Sequence, residues 1–259
     1  MRTLQNLLVA AATAVAIGGG TAQASTTPPI RNVVLVHGAF VDGSGWRAVY
    51  DALEGDGYNV SIVEEPLTGL ADDVAATRRV IDQQDGPVIL VGHSHGGAVI
   101  TEAGNDPHVA GLVYIAAHAP DAGETESAND RHYPAIGRDA IIKTADGYVH
   151  IDPKRFRAEF APDLPAPDAE FEAHSQGLTA ARVFTTPIVD PAWKTKPVWY
   201  MVAKADHIIS PDLQRMYAVR AHSRETREVE GASHSVYRTD PAEVVGLIEA
   251  ATGGASERP

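Results

Sequence analysis

The sequence predicts an α/β fold with about six strands in a mostly parallel sheet, helices on both faces and an inserted helical lid. Three observations support this prediction. From Arg31 onward, short apolar runs alternate with amphipathic stretches of helical period. The runs are continuously apolar, which is typical of parallel strands buried on both faces. A chain of 259 residues is long enough to bury such a core, and without cysteine it has no disulfide framework.

Four strands and three helices are predicted before residue 118. In the first helix, Trp46, Val49, Tyr50 and Leu53 share one face, and a Gly-Asp-Gly turn ends it. The third helix is predicted from about His95 to Asn105. The strands are assigned to RNVVLVHG, YNVSIVEEP, PVILVGHS and VAGLVYIAA, and the first two helices to SGWRAVYDALEGDG and LADDVAATRRVIDQQDG.

The alternation stops between residues 118 and 196, in a segment rich in proline, aspartate, alanine and aromatic residues. Helices are predicted there at DPKRFRAEFAPDL and APDAEFEAHSQGLTAARVF. Because this segment, hereafter the insert, leaves after the fourth strand and returns before the fifth, we expect a lid over the strand ends. Residues 25–117 and 197–252 form the predicted core. Its second part is predicted to contain two strands, KPVWYMVAKAD and RETREVEGASH, each followed by a helix, SPDLQRMYAVRA and DPAEVVGLIEAAT respectively.

The two termini are not expected to belong to this core. Arg2 precedes an apolar stretch from Leu7 to Ile17, and Ala22-Gln23-Ala24 matches an A-x-A cleavage site. Residues 1–24 are therefore predicted to be a signal peptide, which implies a secreted or periplasmic protein. Residues 253–259 are predicted to be a flexible tail.

The net charge of −13 bears on possible partners. A strongly acidic surface disfavours nucleic acid and anionic membranes, so neither nucleic-acid binding nor stable membrane association after signal cleavage is expected. The expected partner is a small-molecule substrate, and the sequence does not indicate an oligomeric state.

The third predicted strand runs into Gly92-His93-Ser94-His95-Gly96, which fits the pattern G-x-S-x-G. In this motif a sharp turn between a strand and a helix exposes a serine hydroxyl at the carboxyl end of a sheet. The pattern alone is weak, but here an apolar strand precedes it and a predicted helix follows it. Ser94 is therefore the candidate nucleophile, and His93 is expected to pack beneath the turn.

A serine hydroxyl needs a general base and a group that orients the base. The chain order typical of this fold is serine, then aspartate or glutamate, then histidine. Asp206 follows the fifth predicted strand and His234 follows the sixth, so both would lie at the edge where Ser94 lies. We assign Asp206 as the orienting carboxylate and His234 as the base.

Other residues could take these two roles. Asp121 and Glu124 follow the fourth predicted strand and are alternatives to Asp206, whereas His207 and His222 are weaker candidates for the base.

An oxyanion hole needs two backbone N–H groups, one of which belongs to the residue after the nucleophile. That residue is His95. The second donor is expected in the glycine-rich loop after the first strand, at Ala39, with Phe40 as a possible pocket residue. No cofactor and no metal are expected, because the chain has no P-loop, no G-x-G-x-x-G after the first strand, no H-E-x-x-H and no cysteine pair.

These segments resemble the α/β-hydrolases, in the small-lid branch similar to bacterial pyrethroid-hydrolase-like esterases and, more distantly, to plant methylesterases and hydroxynitrile lyases. The resemblance implies a triad at Ser94, Asp206 and His234, with oxyanion donors at Ala39 and His95. It is carried by VVLVHGAFVDGSGW, VILVGHSHGGAVITEAG, LVYIAAHAPDAGE, AWKTKPVWYMVAKADHIISPDLQRMYAVRA and EVEGASHSVYRTDPAEVVGLI.

The chain departs from that branch at two positions. The branch often has Tyr, Leu or Met after the nucleophile and an aromatic residue before APD, where this chain has His95 and His118. These departures bear on substrate preference, and they make His118 a possible pocket residue. Ser235 and Val236 follow His234 where hydroxynitrile lyases typically carry a lysine, so lyase chemistry is not expected.

The resulting hypothesis is a secreted serine hydrolase that cleaves carboxylic esters through an acyl-enzyme intermediate. An alternative is cofactor-free perhydrolase (haloperoxidase-like) or lactonase activity on the same triad. A third class is a non-catalytic binding protein of the same fold, which a missing triad member would indicate, and none is missing.

Overall fold

The computed structural model describes residues 29–253. The predicted signal peptide and residues 254–259 of the predicted tail lie outside the described residues. The strands of the described part are β1 Asn32–Val36, β2 Asn59–Val63, β3 Val88–His93, β4 Val109–Ile115, β5 Ile141–Lys143, β6 Tyr148–Ile151, β7 Thr179–Ala180, β8 Val198–Ala203 and β9 Glu225–Val229.

The helices of the described part alternate with the strands of the core and also occupy the insert. They are α1 Arg47–Gly55, α2 Leu70–Ile81, α3 His95–Ala103, α4 Glu126–His132, α5 Pro153–Glu159, α6 Ala166–Ser175, α7 Pro211–Arg220, α8 Val236–Thr239 and α9 Pro241–Thr252. Within residues 29–253, no helix combines the length and the hydropathy that crossing a membrane requires.

Six strands form one sheet in the order β2-β1-β3-β4-β8-β9, and each neighbouring pair is parallel. The predicted fold class is confirmed. Because all six strands run in the same direction, their carboxyl ends meet at one edge of the sheet. The loops after β1, β3, β8 and β9 therefore converge there.

The central strands β1, β3, β4 and β8 are buried on both faces of the sheet, and alternate residues of each enter different clusters. In β1, Val34 and Val36 pack with α2, α3 and the insert, whereas Val33 and Leu35 pack on the face covered by α1 and α9. This two-sided burial explains why the sequence of β1 is apolar without interruption.

Helix α2 combines a buried face with charges at both ends. Asp72 and Asp73 lie in its first turn and Arg78 and Arg79 in its last, an arrangement that the helix dipole favours. Asp73 is itself fully buried, and its Oδ1 accepts a hydrogen bond from the Leu67 N–H at 2.8 Å.

The insert contains the predicted helices but also a feature that the sequence analysis missed. Strands β5, β6 and β7 form a three-stranded antiparallel sheet, although only helices were predicted there. The strands are too short for a clear period-two pattern. The signal that could have revealed them is Asp146-Gly147, a tight turn in which Gly147 has φ of 94°. The predicted division of the chain into core, lid and tail stays a prediction.

The second predicted helix of the insert is shorter than expected. Helix α6 ends at Ser175, and the side chain of Gln176 then bonds both backbone groups of Ile151 in β6. These two bonds, at 2.9 and 2.8 Å, join the end of α6 to β6, and the same side chain donates to the Ala173 carbonyl oxygen of α6.

Candidate active site

The turn between β3 and α3 holds Ser94 in a strained conformation, with φ of 55° and ψ of −122°. Two close backbone contacts surround this turn. A Cβ atom on Gly96 would lie 2.5 Å from the carbonyl oxygen of His37, and a Cβ on Gly92 would lie 2.5 Å from that of Gly96. Only glycine fits at these two positions, which explains the spacing of the motif.

The structure brings Ser94, His234 and Asp206 together at the carboxyl edge of the sheet. His234 Nε2 lies 2.9 Å from Ser94 Oγ, and His234 Nδ1 lies 2.7 Å from Asp206 Oδ2. A carboxylate can only accept, so Nδ1 carries the ring proton and Nε2 is free to accept the serine proton. All three residues are buried.

The carboxylate of Asp206 is fixed on both oxygens. Oδ1 accepts the backbone N–H groups of Ile208 and Ile209 at 2.7 and 3.0 Å, and Oδ2 accepts the side-chain amide of Gln214 at 2.8 Å. The same Gln214 accepts the N–H of Ala203 at the end of β8. Gln214 was not singled out from the sequence; its signal was a buried polar position on an otherwise apolar face of α7.

Two aromatic rings hold the loop that carries His234. His93 donates from Nε2 to the carbonyl oxygen of His234 at 2.9 Å, and the two rings lie 4.7 Å apart. Burial lowers the pKa of His93 well below its ordinary value, so this ring is neutral at pH 7. From the insert, Phe160 contacts the His234 ring edge to face at 4.8 Å. His93 lies beneath the turn, where it was predicted.

The two predicted oxyanion donors lie near Ser94: His95 follows it directly, and a Cβ on Gly38, the neighbour of Ala39, would lie 2.7 Å from Ser94 Cβ. His95 is the first residue of α3, so its N–H is one of those at a helix start that have no partner within the helix. The N–H of Ala39, in the loop after β1, has no hydrogen-bond partner between residues 29 and 253. The next residue, Phe40, has φ of 71° and donates its N–H to Thr179 Oγ1 at 3.3 Å.

The alternative residues make other contacts. Asp121 pairs with Lys194, and Glu124 accepts two bonds from Arg220. His207 Nδ1 lies 3.2 Å from Glu159, and His222 is exposed at the end of α7. The structure therefore places none of these four groups in the chain of hydrogen bonds that begins at Ser94.

A cluster of buried polar side chains adjoins the turn, and most of its members were not singled out from the sequence. His95 Nδ1 lies 2.7 Å from Glu126 Oε1, and His95 Nε2 lies 3.2 Å from Asp73 Oδ2. Burial opposes a charge on His95, but Glu126 and Asp73 outweigh it and raise the pKa of His95 well above its ordinary value. Burial also raises the pKa of the nearby Glu65 carboxyl.

The predicted pocket residue His118 belongs to the same cluster. Its Nε2 lies 3.4 Å from Glu126 Oε2, and its backbone N–H donates to the Ser94 carbonyl oxygen at 3.0 Å. The other predicted pocket residue, Phe40, is buried against Phe184 of the insert, with ring centres 6.0 Å apart. Phe40 therefore contacts the insert from the core, and His118 lies where the insert begins.

An open groove of about 430 Å³ begins at the loop after β1. Its walls come from that loop, from α6 of the insert and from α8. The lining combines aromatic and charged side chains, which include Phe40, Asp42, Asp168, Phe171, Tyr237 and Arg238.

Comparison with known proteins places this chain in a family. The family model described as the alpha/beta hydrolase family matches residues 33–247. An esterase named PIR7B from Oryza sativa subsp. japonica is 23% identical over 84% of this chain and 94% of its own length. A pyrethroid hydrolase of Sphingobium wenxiniae is 37% identical over a shorter stretch, 34% of this chain and 36% of the relative.

Solved structures share the fold. The crystal structure of a pyrethroid hydrolase from Sphingobium faniae JZ-2 superposes with a TM-score of 0.73 at 24% identity, and the match covers 88% of this chain and 100% of that one. The resemblance drawn from the sequence segments is confirmed.

Proposed function

The chain belongs to the alpha/beta hydrolase family, and from that membership and the geometry at Ser94 we propose that it is a serine hydrolase of carboxylic esters. The observation that carries the proposal is the continuous hydrogen-bonded chain from Ser94 Oγ through His234 to Asp206, at 2.9 and 2.7 Å. The esterase and pyrethroid hydrolase names of the relatives support the same class of reaction.

In the proposed reaction, His234 Nε2 takes the proton of Ser94 as Oγ attacks the carbonyl carbon of a small-molecule ester. The N–H groups of Ala39 and His95 donate to the oxygen that becomes negative. Protonated His234 then gives its proton to the leaving alcohol, and an acyl-serine remains. Water, deprotonated by His234, attacks the acyl carbon and releases the carboxylic acid.

The proposal includes export. Residues 1–24 have the composition of a signal peptide, and their removal would leave a secreted or periplasmic enzyme. Sequencing the N-terminus of protein recovered from the periplasm and from the medium tests this part separately. Export requires a mature chain that begins near Ser25, and an intact Met1 in the cytoplasm would contradict it.

The enzymatic part is tested by hydrolysis of p-nitrophenyl esters, from acetate to palmitate, by the wild type and by Ser94→Ala. We expect hydrolysis to be lost in the variant and an acyl adduct on Ser94 to be trapped by mass spectrometry in the wild type. Ser61→Ala removes a hydroxyl from the middle of the edge strand β2, where it accepts a hydrogen bond from Gln84, so this variant is the matched control and should keep full activity. Equal activity in Ser94→Ala and wild type would refute the proposed nucleophile.

A further inference from the structure

Three side chains of metal-binding type meet beside the turn that carries Ser94. Glu65 follows β2, Asp73 lies in the first turn of α2 and His95 begins α3. One potential ligand atom of each lies within 4.8 Å of the corresponding atoms of the other two. All three residues are buried, so the cluster is not a patch of solvated surface charge.

The imidazole of His95 is oriented as a metal ligand would be. Its Nδ1 lies 2.7 Å from the carboxylate of Glu126, which accepts the ring proton. On the other side of the ring, Nε2 lies 3.2 Å from Asp73 Oδ2, and a cation that displaces the Nε2 proton would free a lone pair directed at this position. A histidine that binds a metal commonly donates its other N–H to such an outer carboxylate, which fixes both the tautomer and the ring plane.

Glu65 supplies the second observation. Both of its carboxylate oxygens are buried and lack a hydrogen-bond partner among residues 29–253. A second proton on His95 would pair this ring with Asp73 and Glu126, yet it would leave both oxygens of Glu65 unsatisfied. A cation between the three residues would satisfy Glu65, Asp73 and the lone pair of His95 together.

We propose that Glu65, Asp73 and His95 bind one divalent transition-metal ion of the Zn²⁺ or Mn²⁺ class. One imidazole nitrogen with two carboxylates suits these ions, whereas Ca²⁺ takes six to eight oxygen ligands. The ion would join the loop after β2, helix α2 and the turn at Ser94. It would thereby hold the residue whose N–H is the proposed oxyanion donor.

No metal was expected from the sequence, because the chain lacks a local metal-binding motif. The three ligands come from separate segments, and only the parallel arrangement of β1, β2 and β3 brings them together. No motif search within a single stretch of sequence could have joined them.

The test measures metal binding directly and does not use hydrolysis. The purified chain is stripped with a chelator and dialysed against Zn²⁺, Mn²⁺ or Ca²⁺, and the bound metal is counted by mass spectrometry. We expect about one Zn²⁺ or Mn²⁺ per chain, a rise in Tm of about 5 °C and no retained Ca²⁺. Because this assay measures bound metal and not hydrolysis, its result does not depend on whether the protein is an esterase.

Metal binding by three single-residue variants tests whether the ion lies at this site. Glu65→Gln changes a side chain without hydrogen bonds, so the protein should fold while the site and the Tm shift are lost. Glu126→Gln should lower metal affinity by about 10- to 100-fold, since it removes only the outer acceptor. Glu64→Gln makes the same chemical change at the adjacent exposed residue and should bind as the wild type does.

Two results would overturn the inference. One is a folded wild-type chain that retains neither Zn²⁺ nor Mn²⁺ at concentrations well above those that metalloproteins need. The other is binding that is equal in wild type, Glu65→Gln and Asp73→Asn, which would assign the ion to surface residues and leave His95 as a protonated imidazolium.

Discussion

At the scale of single residues, the position of Ser94 is imposed by the backbone around it. A non-glycine residue with φ of 55° and ψ of −122° is strained, and such strain persists only where neighbours enforce it. Here the carbonyl groups of Val36 and His37 lie directly against Gly96, where an added Cβ would be 2.7 and 2.5 Å from their oxygens.

Gly96→Ala should therefore destabilise the protein and reduce turnover together. The new methyl group meets backbone atoms that cannot rotate away, so we expect a loss of about 1–3 kcal/mol in the free energy of unfolding. Urea denaturation measures it. Gly55→Ala is the matched control, because a Cβ there has no neighbour within 4 Å, and it should leave stability equal or slightly higher. If Gly96→Ala and wild type unfolded at the same urea concentration, the close contact between Gly96 and the backbone of His37 would be contradicted.

Asp206→Asn should lower kcat on the order of 10⁴-fold, a magnitude taken from the corresponding substitution in chymotrypsin-type proteases. The amide offers an N–H where His234 Nδ1 now donates, so the imidazole loses the tautomer that leaves Nε2 free to accept. Steady-state kinetics on the best p-nitrophenyl ester measure the effect. Asp121→Asn and Glu124→Gln are the controls, and a large loss of kcat in either one with an active Asp206→Asn would move the orienting role to the loop after β4.

The residues of the candidate site were predictable from the sequence only where they directly follow a strand of the parallel sheet. Ser94, Asp206 and His234 each follow a strand, and parallel strands carry their carboxyl ends to one edge. Glu126 and Asp73 were not predictable in this way. They contact His95 because a helix of the insert and a core helix pack on either side of it, which strand order alone does not specify.

At the scale of elements, the insert shares a hydrophobic cluster with the core and is also joined to it by an ion pair. Glu124, just before α4, accepts two hydrogen bonds from Arg220 at the end of α7, at 2.8 and 2.9 Å. Burial raises the pKa of Glu124, but the bonds from Arg220, from the Asp121 N–H and from Asn129 outweigh it and lower the pKa to about 2.

Glu124→Gln should reduce stability at neutral pH but not in strong acid. A carboxyl whose pKa falls from 4.5 to about 2 on folding stabilises the native state above pH 4.5, and this contribution is lost as the pH falls toward 2. Because the pair is partly exposed, we expect a difference on the order of 1 kcal/mol at pH 7. Urea denaturation at pH 7, 4 and 2.5 measures it.

The control for this pair is Glu170→Gln, an exposed carboxyl on α6, which should change stability little at any of these pH values. A difference between Glu124→Gln and wild type that persists undiminished at pH 2.5 would contradict the ion pair as its source.

The elements of the sheet were more predictable than those of the insert, for a physical reason. A strand buried on both faces must be apolar throughout, so β1, β3, β4 and β8 are visible in the sequence. Strands β5, β6 and β7 are only two to four residues long, and β5 and β6 are partly exposed, so cross-strand pairing rather than composition determines them.

At the scale of the whole molecule, the protein carries an excess of negative charge, and the groove that begins at the loop after β1 is lined by more carboxylates than cations. The chain carries a net charge of −13, and the groove beside the loop after β1 presents Asp42, Asp168 and Glu172 against Arg238. A field of one sign at the mouth of a site concentrates substrates of the opposite charge and repels those of the same charge.

The charge of an ester substrate should therefore decide how kcat/KM responds to salt. For an ester of a quaternary-ammonium alcohol, we expect kcat/KM to fall about two- to fivefold as NaCl rises from about 10 to 300 mM, because the Debye length shrinks from about 30 Å to below 8 Å. A monoester of a dicarboxylic acid should show the opposite trend, and a neutral ester of equal size is the control. If NaCl changes kcat/KM equally for all three esters, the acidic surface does not attract or repel the substrate, and the negative charge contributes only to the solubility of the protein.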